Sequence, residues 1–204
     1  MALNPPSPPP DRAEVSVGQA VRPLPGERLC GDQSGWWTRP ERLRMALADG
    51  LGHGPEAHAA AVTLIERLAV MRPADLTELF ADCDRALIGS RGAALAVVDV
   101  LFEENALLHA AVGNVRTLLI GQGQIRRLAG ARGIVGGGFS GLRPERLPLS
   151  PGDWLVMFSD GIPEDADIRP SLIASRPSDA LAGRLLERWA SDRDDAGILL
   201  YRHE

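Results

Sequence analysis

Apolar residues recur along this chain with two different periods. Glu14, Val15, Ser16 and Val17 alternate polar with apolar, and Leu43, Met45 and Leu47 alternate with Arg44, Ala46 and Ala48. A period of two predicts half-buried strands at both places. The period then lengthens. From Pro55 onward Ala57, Ala61, Leu64, Ile65 and Leu68 fall on one helical face, and proline suits the first helical turn. Leu76, Leu79, Phe80, Cys83 and Leu87 define a second helical face, preceded by Asp75 as N-cap with Glu78 three residues on, the capping-box pattern. Cys83 therefore reads as core.

Beyond Gly92 the strand period returns. Residues 94–102, 106–112, 115–120 and 124–128 are β-rich runs separated by Glu103-Glu104-Asn105, Gly113-Asn114 and Gly121-Gln122-Gly123. Connections this short imply an antiparallel meander, because parallel strands need long crossovers. The nearly continuous apolar run at 94–98 predicts strands covered on both faces. Pro151-Gly152-Asp153 turns the chain into a strand at 154–158. A helix from Ser178 carries Leu181, Leu185, Leu186 and Trp189 on one face, and a strand at 196–201 follows. Because βαβα alternation is absent, the order predicts an α+β fold of two antiparallel sheets flanked by helices.

Length changes this picture little: 204 residues suit one domain, here 12–204. Residues 1–11 hold Pro5, Pro6, Pro8, Pro9 and Pro10, which reads as an extended, solvated tail. The balance of 27 acidic against 22 basic residues gives a formal charge of −5, which argues against a nucleic-acid partner held by phosphate contacts. Two cysteines, Cys30 and Cys83, offer neither a disulfide framework nor zinc spacing and suit a reducing compartment. No apolar run reaches the roughly 18 residues of a membrane span, and no basic segment followed by an apolar one opens the chain. The expectation is a cytoplasmic protein without membrane contact.

Charge matters more where it is placed. Asp49 ends an alternating run inside Ala48-Asp49-Gly50-Leu51-Gly52-His53-Gly54, and Asp32, Asp160 and Asp194 stand at comparable junctions of strand and turn. Carboxylates at strand ends, with no clustered His or Cys, favour Mg²⁺ or Mn²⁺ over Zn²⁺. Two such ions sharing a bridging carboxylate would lower the pKa of a bound water and clamp a phosphoryl group, so no covalent nucleophile is needed. His53 reads as a loop or capping residue that could also meet a phosphate or donate a proton. His58 and His109 read as helix-surface and strand residues. The loop at 136–141 lacks Gly-Lys-Ser/Thr, so it is no phosphate loop, and it reads as a flexible surface segment beside the site. Ser159 lacks the flanking glycines of a nucleophile elbow. Trp36 and Trp37 read as buried.

At these residues the chain resembles the bacterial serine phosphatases of the protein phosphatase 2C (PPM) superfamily, in the sporulation-phosphatase E branch. The segments that carry the resemblance are Cys30-Gly31-Asp32, residues 48–54, Arg91-Gly92-Ala93-Ala94-Leu95-Ala96, Gly113-Asn114-Val115-Arg116, Pro151-Gly152-Asp153 through Phe158-Ser159-Asp160-Gly161, and Asp194-Asp195-Ala196. The resemblance runs from about Gly31 to Tyr201 and is strongest to stand-alone RsbX-type enzymes, which act on phosphoserine or phosphothreonine in STAS-domain proteins of stress signalling.

It implies an αββα sandwich and a site of two Mn²⁺ or Mg²⁺ ions. Asp49 would bridge the ions, the Gly50 carbonyl would bind one, Asp160 and Asp194 would complete the first, and Asp32 would reach the second through water. Asp195 stands where the family often has Asn or Asp and is a weaker candidate. Two departures follow. Leu51 replaces the general-acid histidine of the animal branch, and Gly197 replaces a frequent Thr or Ser, which predicts a looser loop there. The implied activity is metal-dependent phosphoprotein hydrolysis; the rival is a catalytically silent binding module of the same fold.

Overall fold

In the computed structural model, residues 15–71, 75–121 and 123–204 are described. The proline-rich segment at 1–11, the domain start at residue 12 and Glu14 lie outside the described residues. In chain order the elements are β1 (Val17–Arg22), β2 (Asp32–Thr38), β3 (Arg42–Gly50), α1 (Pro55–Val70), α2 (Leu76–Ala86), β4 (Ala93–Leu101), β5 (Ala106–Val112) and β6 (Arg116–Gly121). Then come β7 (Gln124–Leu128), β8 (Arg132–Ile134), β9 (Gly138–Ser140), β10 (Glu145–Pro148), β11 (Trp154–Phe158), α3 (Arg169–Leu172), α4 (Asp179–Trp189) and β12 (Ala196–Arg202).

Ten of these strands form two antiparallel five-stranded sheets, ordered β1-β12-β11-β6-β7 and β10-β5-β4-β3-β2, and β8 with β9 forms a small hairpin. Successive strand residues point to opposite faces, so each central strand feeds two cores. From β4, Leu95 and Val97 meet Leu64, Leu79 and Phe80 of the helices. Ala96 and Val98 of the same strand meet Met157 and Leu199 across the sandwich. From β12, Leu199 and Tyr201 face the inter-sheet core, while Ile198 and Leu200 face Leu181 and Leu185 of α4. Three apolar layers thus separate four structural ones, helices, sheet, sheet and helices, as the pattern predicted. Each fully buried Leu, Val or Phe contributes about 1.5–3 kcal/mol.

Local signals set several boundaries. Pro55 occupies the first turn of α1. The Asp75 carboxylate caps α2 by accepting the Thr77 N–H at 2.6 Å, and Ser178 caps α4 by accepting the Leu181 N–H at 3.2 Å. Cys83 is fully buried, and burial pushes its thiol up to about 12.

Other expectations are corrected. β3 is buried on both faces, not one, because α1 covers the side that carries Ala46 and Ala48. Arg44 follows its strand inside and is neutralised there by Asp99, Nε to Oδ1 at 2.7 Å and Nη2 to Oδ2 at 2.6 Å. Trp36 is exposed, because β2 is an edge strand and turns alternate residues outward; its neighbour Trp37 packs partly against the helix core. His58 does not stand free on α1, since its Nδ1 lies 2.8 Å from the Cys30 carbonyl oxygen. His109 is a strand residue of β5, as expected; it is buried in the sandwich, and burial lowers its imidazole to about 4.

Candidate metal centre

β2 and β3 run antiparallel with Asp32 opposite Asp49 in register, so one sheet presents two carboxylates at the same rim. Asp49 in turn faces Ala94 of β4. The next residue must be glycine: a Cβ on Gly50 would stand 2.0 Å from the Ala57 carbonyl oxygen, where α1 starts against the strand end. The Gly50 N–H donates to the Gly31 carbonyl and the Leu51 N–H to the Gly92 carbonyl, each at 3.0 Å, which fixes the loop from both sides.

The other sheet supplies the second pair. Asp160 lies just past the end of β11, and Asp194 lies just before β12, its neighbour in the sheet. Gly161 keeps these segments close, since a Cβ there would stand 1.9 Å from the Asp195 carbonyl oxygen. Ser159 ties the two sheets together. Its buried hydroxyl donates to Asp32 Oδ2 at 2.5 Å and accepts the Gly197 N–H at 2.9 Å. Ser159 is therefore a brace and not an exposed nucleophile. Gly197 is held by that bond, with room for a Cβ only 3.0 Å from Leu47 and 3.2 Å from Asp32. The looser loop expected from its glycine is not found.

The carboxyl groups strain one another electrostatically. Burial, then Asp32, Asp160, Asp194 and Asp195, pushes Asp49 up to about 9. Burial also pushes Asp32 up to about 7, partly opposed by the Ser159 hydrogen bond, with the neighbouring acids adding to the rise. Asp194 is raised chiefly by burial. Asn114, in the turn between β5 and β6, donates from Nδ2 to Asp160 Oδ2 at 2.6 Å and orients that side chain.

Asp49, Asp160 and Asp194 line a cleft of about 460 Å³ together with Leu51, Asn114 and Arg132. Another groove, of about 440 Å³ and lined in part by Trp154 and Leu172, contains none of the four acids. The donor chemistry of the cleft suits a hard divalent cation: oxygen ligands only, in a buried carboxylate cluster whose ionised form needs positive charge nearby. Among the described residues no three His, Cys, Asp or Glu side chains converge on one point.

The remaining candidates stand at the margin. Leu51 is exposed in the cleft wall. His53 is not part of that wall; its Nδ1 lies 2.9 Å from Glu27 Oε1. Asp195 is buried, and its Oδ1 accepts the Leu24 N–H at 2.8 Å, anchoring the segment that leads into β2.

The segment at 136–141 is no flexible loop but contains β9 of the β8–β9 hairpin, and the cleft is lined by residues 130–134 and not by 136–141. The base of the hairpin is bonded to β4 through Ala93 and Val135, each N–H to the other's carbonyl at 3.0 Å. Phe139 packs edge-on against Phe80 at 6.3 Å. Sequence reasoning quoted Asn114 without giving it a task and missed Arg132 altogether. Asn114 was findable from the Gly113-Asn114 turn between two strands, whereas Arg132 has no local signal.

The stage II sporulation protein E (SpoIIE) family profile matches residues 39–202. A similar protein is the phosphoserine phosphatase RsbX of Bacillus subtilis (strain 168), 24% identical over 176 residues, covering 86% of this chain and 88% of RsbX. A chain solved in work on the bacterial stressosome, a modular system adapted to control secondary messenger signalling, is 28% identical with TM-score 0.87, covering 93% of this chain and all of that one. RsbX solved in complex with magnesium superposes with TM-score 0.80 at 22% identity, covering 95% and 98% of the two chains.

Proposed function

Because this chain belongs to the stage II sporulation protein E family and is a PPM-type phosphatase, we propose that it is a metal-dependent protein serine/threonine phosphatase whose substrate is a phosphorylated STAS-domain protein. The relative named phosphoserine phosphatase and the match to a stressosome chain support this substrate class. The magnesium complex of RsbX supports the metal dependence. No helix among the described residues is long and apolar enough to cross a membrane, in keeping with a cytoplasmic site of action.

One observation carries the reading: each of two packed sheets brings two carboxylates to the same rim. Asp49 would be shared by two Mn²⁺ or Mg²⁺ ions, with the Gly50 carbonyl, Asp160 and Asp194 holding one and Asp32 reaching the other through water. Such ions, when bound, act as Lewis acids that make a water more acidic and offset charge on a phosphoryl group. The chain's own part is positioning. Ser159 holds Asp32, and Asn114 holds Asp160. Leu51 can donate no proton to the departing serine oxygen. The proton for that oxygen would come from water, from the substrate's surroundings or from His53, which stands outside the cleft wall with its Nδ1 2.9 Å from Glu27 Oε1. In the net reaction water forms a new P–O bond, the serine P–O bond breaks, and a proton from that water passes to the departing serine oxygen, leaving a serine hydroxyl and hydrogen phosphate.

The test is turnover of p-nitrophenyl phosphate and of a phosphorylated STAS-domain protein. Activity should vanish with EDTA and return with Mn²⁺. Asp49→Asn and Asp160→Asn should be inactive with unchanged circular dichroism. Activity in a metal-free preparation, or undiminished turnover in either variant, would sink the proposal. The rival, a silent binding module, draws on the finding that no three metal-ligating side chains converge among the described residues. It predicts tight binding of the phosphoprotein with no release of phosphate under any metal.

A further inference from the structure

The hairpin β8–β9 is built to hold one side chain over the cleft. Ala131, just before β8, is fastened to the strand that leads to Asn114: its N–H donates to the Ala111 carbonyl at 2.7 Å, and its carbonyl accepts the Gly113 N–H at 3.0 Å. At the other end Val135 is paired with Ala93, the residue opposite Gly50 in the sheet. The Asp84 carboxylate of α2 accepts the Gly136 N–H at 2.7 Å. The hairpin closes tightly, since a Cβ on Gly133 would stand 2.5 Å from the Gly138 carbonyl oxygen. Arg132 is therefore carried on a braced element and not on a loose loop.

Arg132 is the one basic side chain lining this cleft among the described residues, against the three carboxylates Asp49, Asp160 and Asp194. Nearby cations are engaged. Arg91 pairs with Glu56, Arg116 with Glu164 and Arg126 with Glu145. The exposed Arg132 side chain makes no hydrogen bond or ion pair among the described residues, its backbone being paired with Ser140. A guanidinium fork at the lining of an acidic cleft, with no carboxylate engaged, matches the paired oxygens of a phosphate group, and such charge-assisted pairs are the strong ones.

We propose that Arg132 binds the phosphate of the substrate directly, taking its peripheral oxygens as the phosphomonoester enters the cleft. This deepens the proposed function and rests on it. The hairpin is then a specificity element: it favours a phosphate dianion and rejects uncharged esters that the carboxylates alone would not exclude.

The test compares wild type, Arg132→Ala and Arg132→Lys in three measurements. These are KM and kcat for p-nitrophenyl phosphate, the same for the phosphoprotein, and equilibrium dialysis of labelled inorganic phosphate with Mn²⁺ present. For Arg132→Ala, KM for both substrates and the dissociation constant of phosphate should rise about tenfold to a hundredfold. The kcat should change by no more than about threefold, as expected when an interaction contributes equally to ground and transition state. Arg132→Lys should recover only part, because a point charge lacks the fork. Arg127→Ala, an exposed arginine outside the cleft lining, should match wild type.

Unchanged phosphate binding in Arg132→Ala overturns the proposal, and so does a KM effect confined to the phosphoprotein. The dialysis separates the two readings. If wild type turns nothing over but its phosphate binding still falls in Arg132→Ala, the enzymatic reading fails and the assignment of Arg132 stands.

Discussion

At the residue scale, the site is a set of carboxyl groups kept from their ordinary ionisation by burial and by one another. Asp49, raised to about 9, and Asp32, raised to about 7, hold protons in the folded protein over a range where the unfolded chain has lost them. The folded state thus binds more protons than the unfolded one, and stability falls as pH rises from about 4 through these values. The metal-free protein should melt at a higher temperature near pH 5 than near pH 8. Mn²⁺ should raise the melting temperature most at the higher pH, where protons compete least for the carboxylates it needs and their mutual repulsion is left for the cation to offset. Asp49→Asn should flatten the pH dependence; differential scanning calorimetry across pH 5–8 decides this. Ser159 acts differently, through geometry. Ser159→Ala leaves Asp32 Oδ2 and the Gly197 N–H without their shared partner, a loss of about 1–3 kcal/mol for buried groups. Denaturant unfolding should show that loss together with a weaker Mn²⁺ affinity.

Elements decide where those residues stand. β3 carries Asp49 at one end and Arg42 and Arg44 at the other, where both pair with Asp99 of β4. Removing the acid would strand two buried guanidinium groups, and breaking a buried ion pair from one side costs about 3–5 kcal/mol. Asp99→Ala should lower unfolding stability by that amount while leaving KM for p-nitrophenyl phosphate unchanged in the protein that remains folded. β4, α2 and β12 were legible in sequence because each has its own period and, for α2, its own cap. β2 was not legible as a strand: Asp32, Gln33, Ser34 and Gly35 show no apolar alternation, and only pairing with β3 makes them one. The hairpin at β8–β9 escaped for a similar reason, since glycines erase the side-chain pattern and backbone pairing alone defines it.

For the whole molecule, the carboxylates come from two sheets that are linked at this rim by the Ser159 brace, by the β5–β6 turn with its Asn114–Asp160 bond and by the apolar layer between them. Divalent ions shared by both sheets would cross-link them. Hydrogen exchange with and without Mn²⁺ should show protection gained at residues 30–34, 48–52, 158–162 and 193–197. The far end of the sandwich, around Trp154 and Arg202, should be unaffected. Protection confined to one sheet would contradict a shared ion.

The sequence by itself determined the layer order, because a strand buried on two faces and a helix buried on one each leave a period in their own residues. It also pointed to the donor chemistry, since four aspartates at strand junctions with no clustered Cys or His favour hard cations over zinc. Tertiary structure alone decided which polar residues work together. Ser159 reaches Asp32 across 127 positions, and Arg132 reaches the cleft only because its hairpin is clamped to β4 and β5. It also turned Arg44 and His109 inward and Trp36 outward. The physical reason is the same in each case: periodicity records only neighbours along the chain, whereas packing two sheets face to face joins residues whose sequence separation carries no signal.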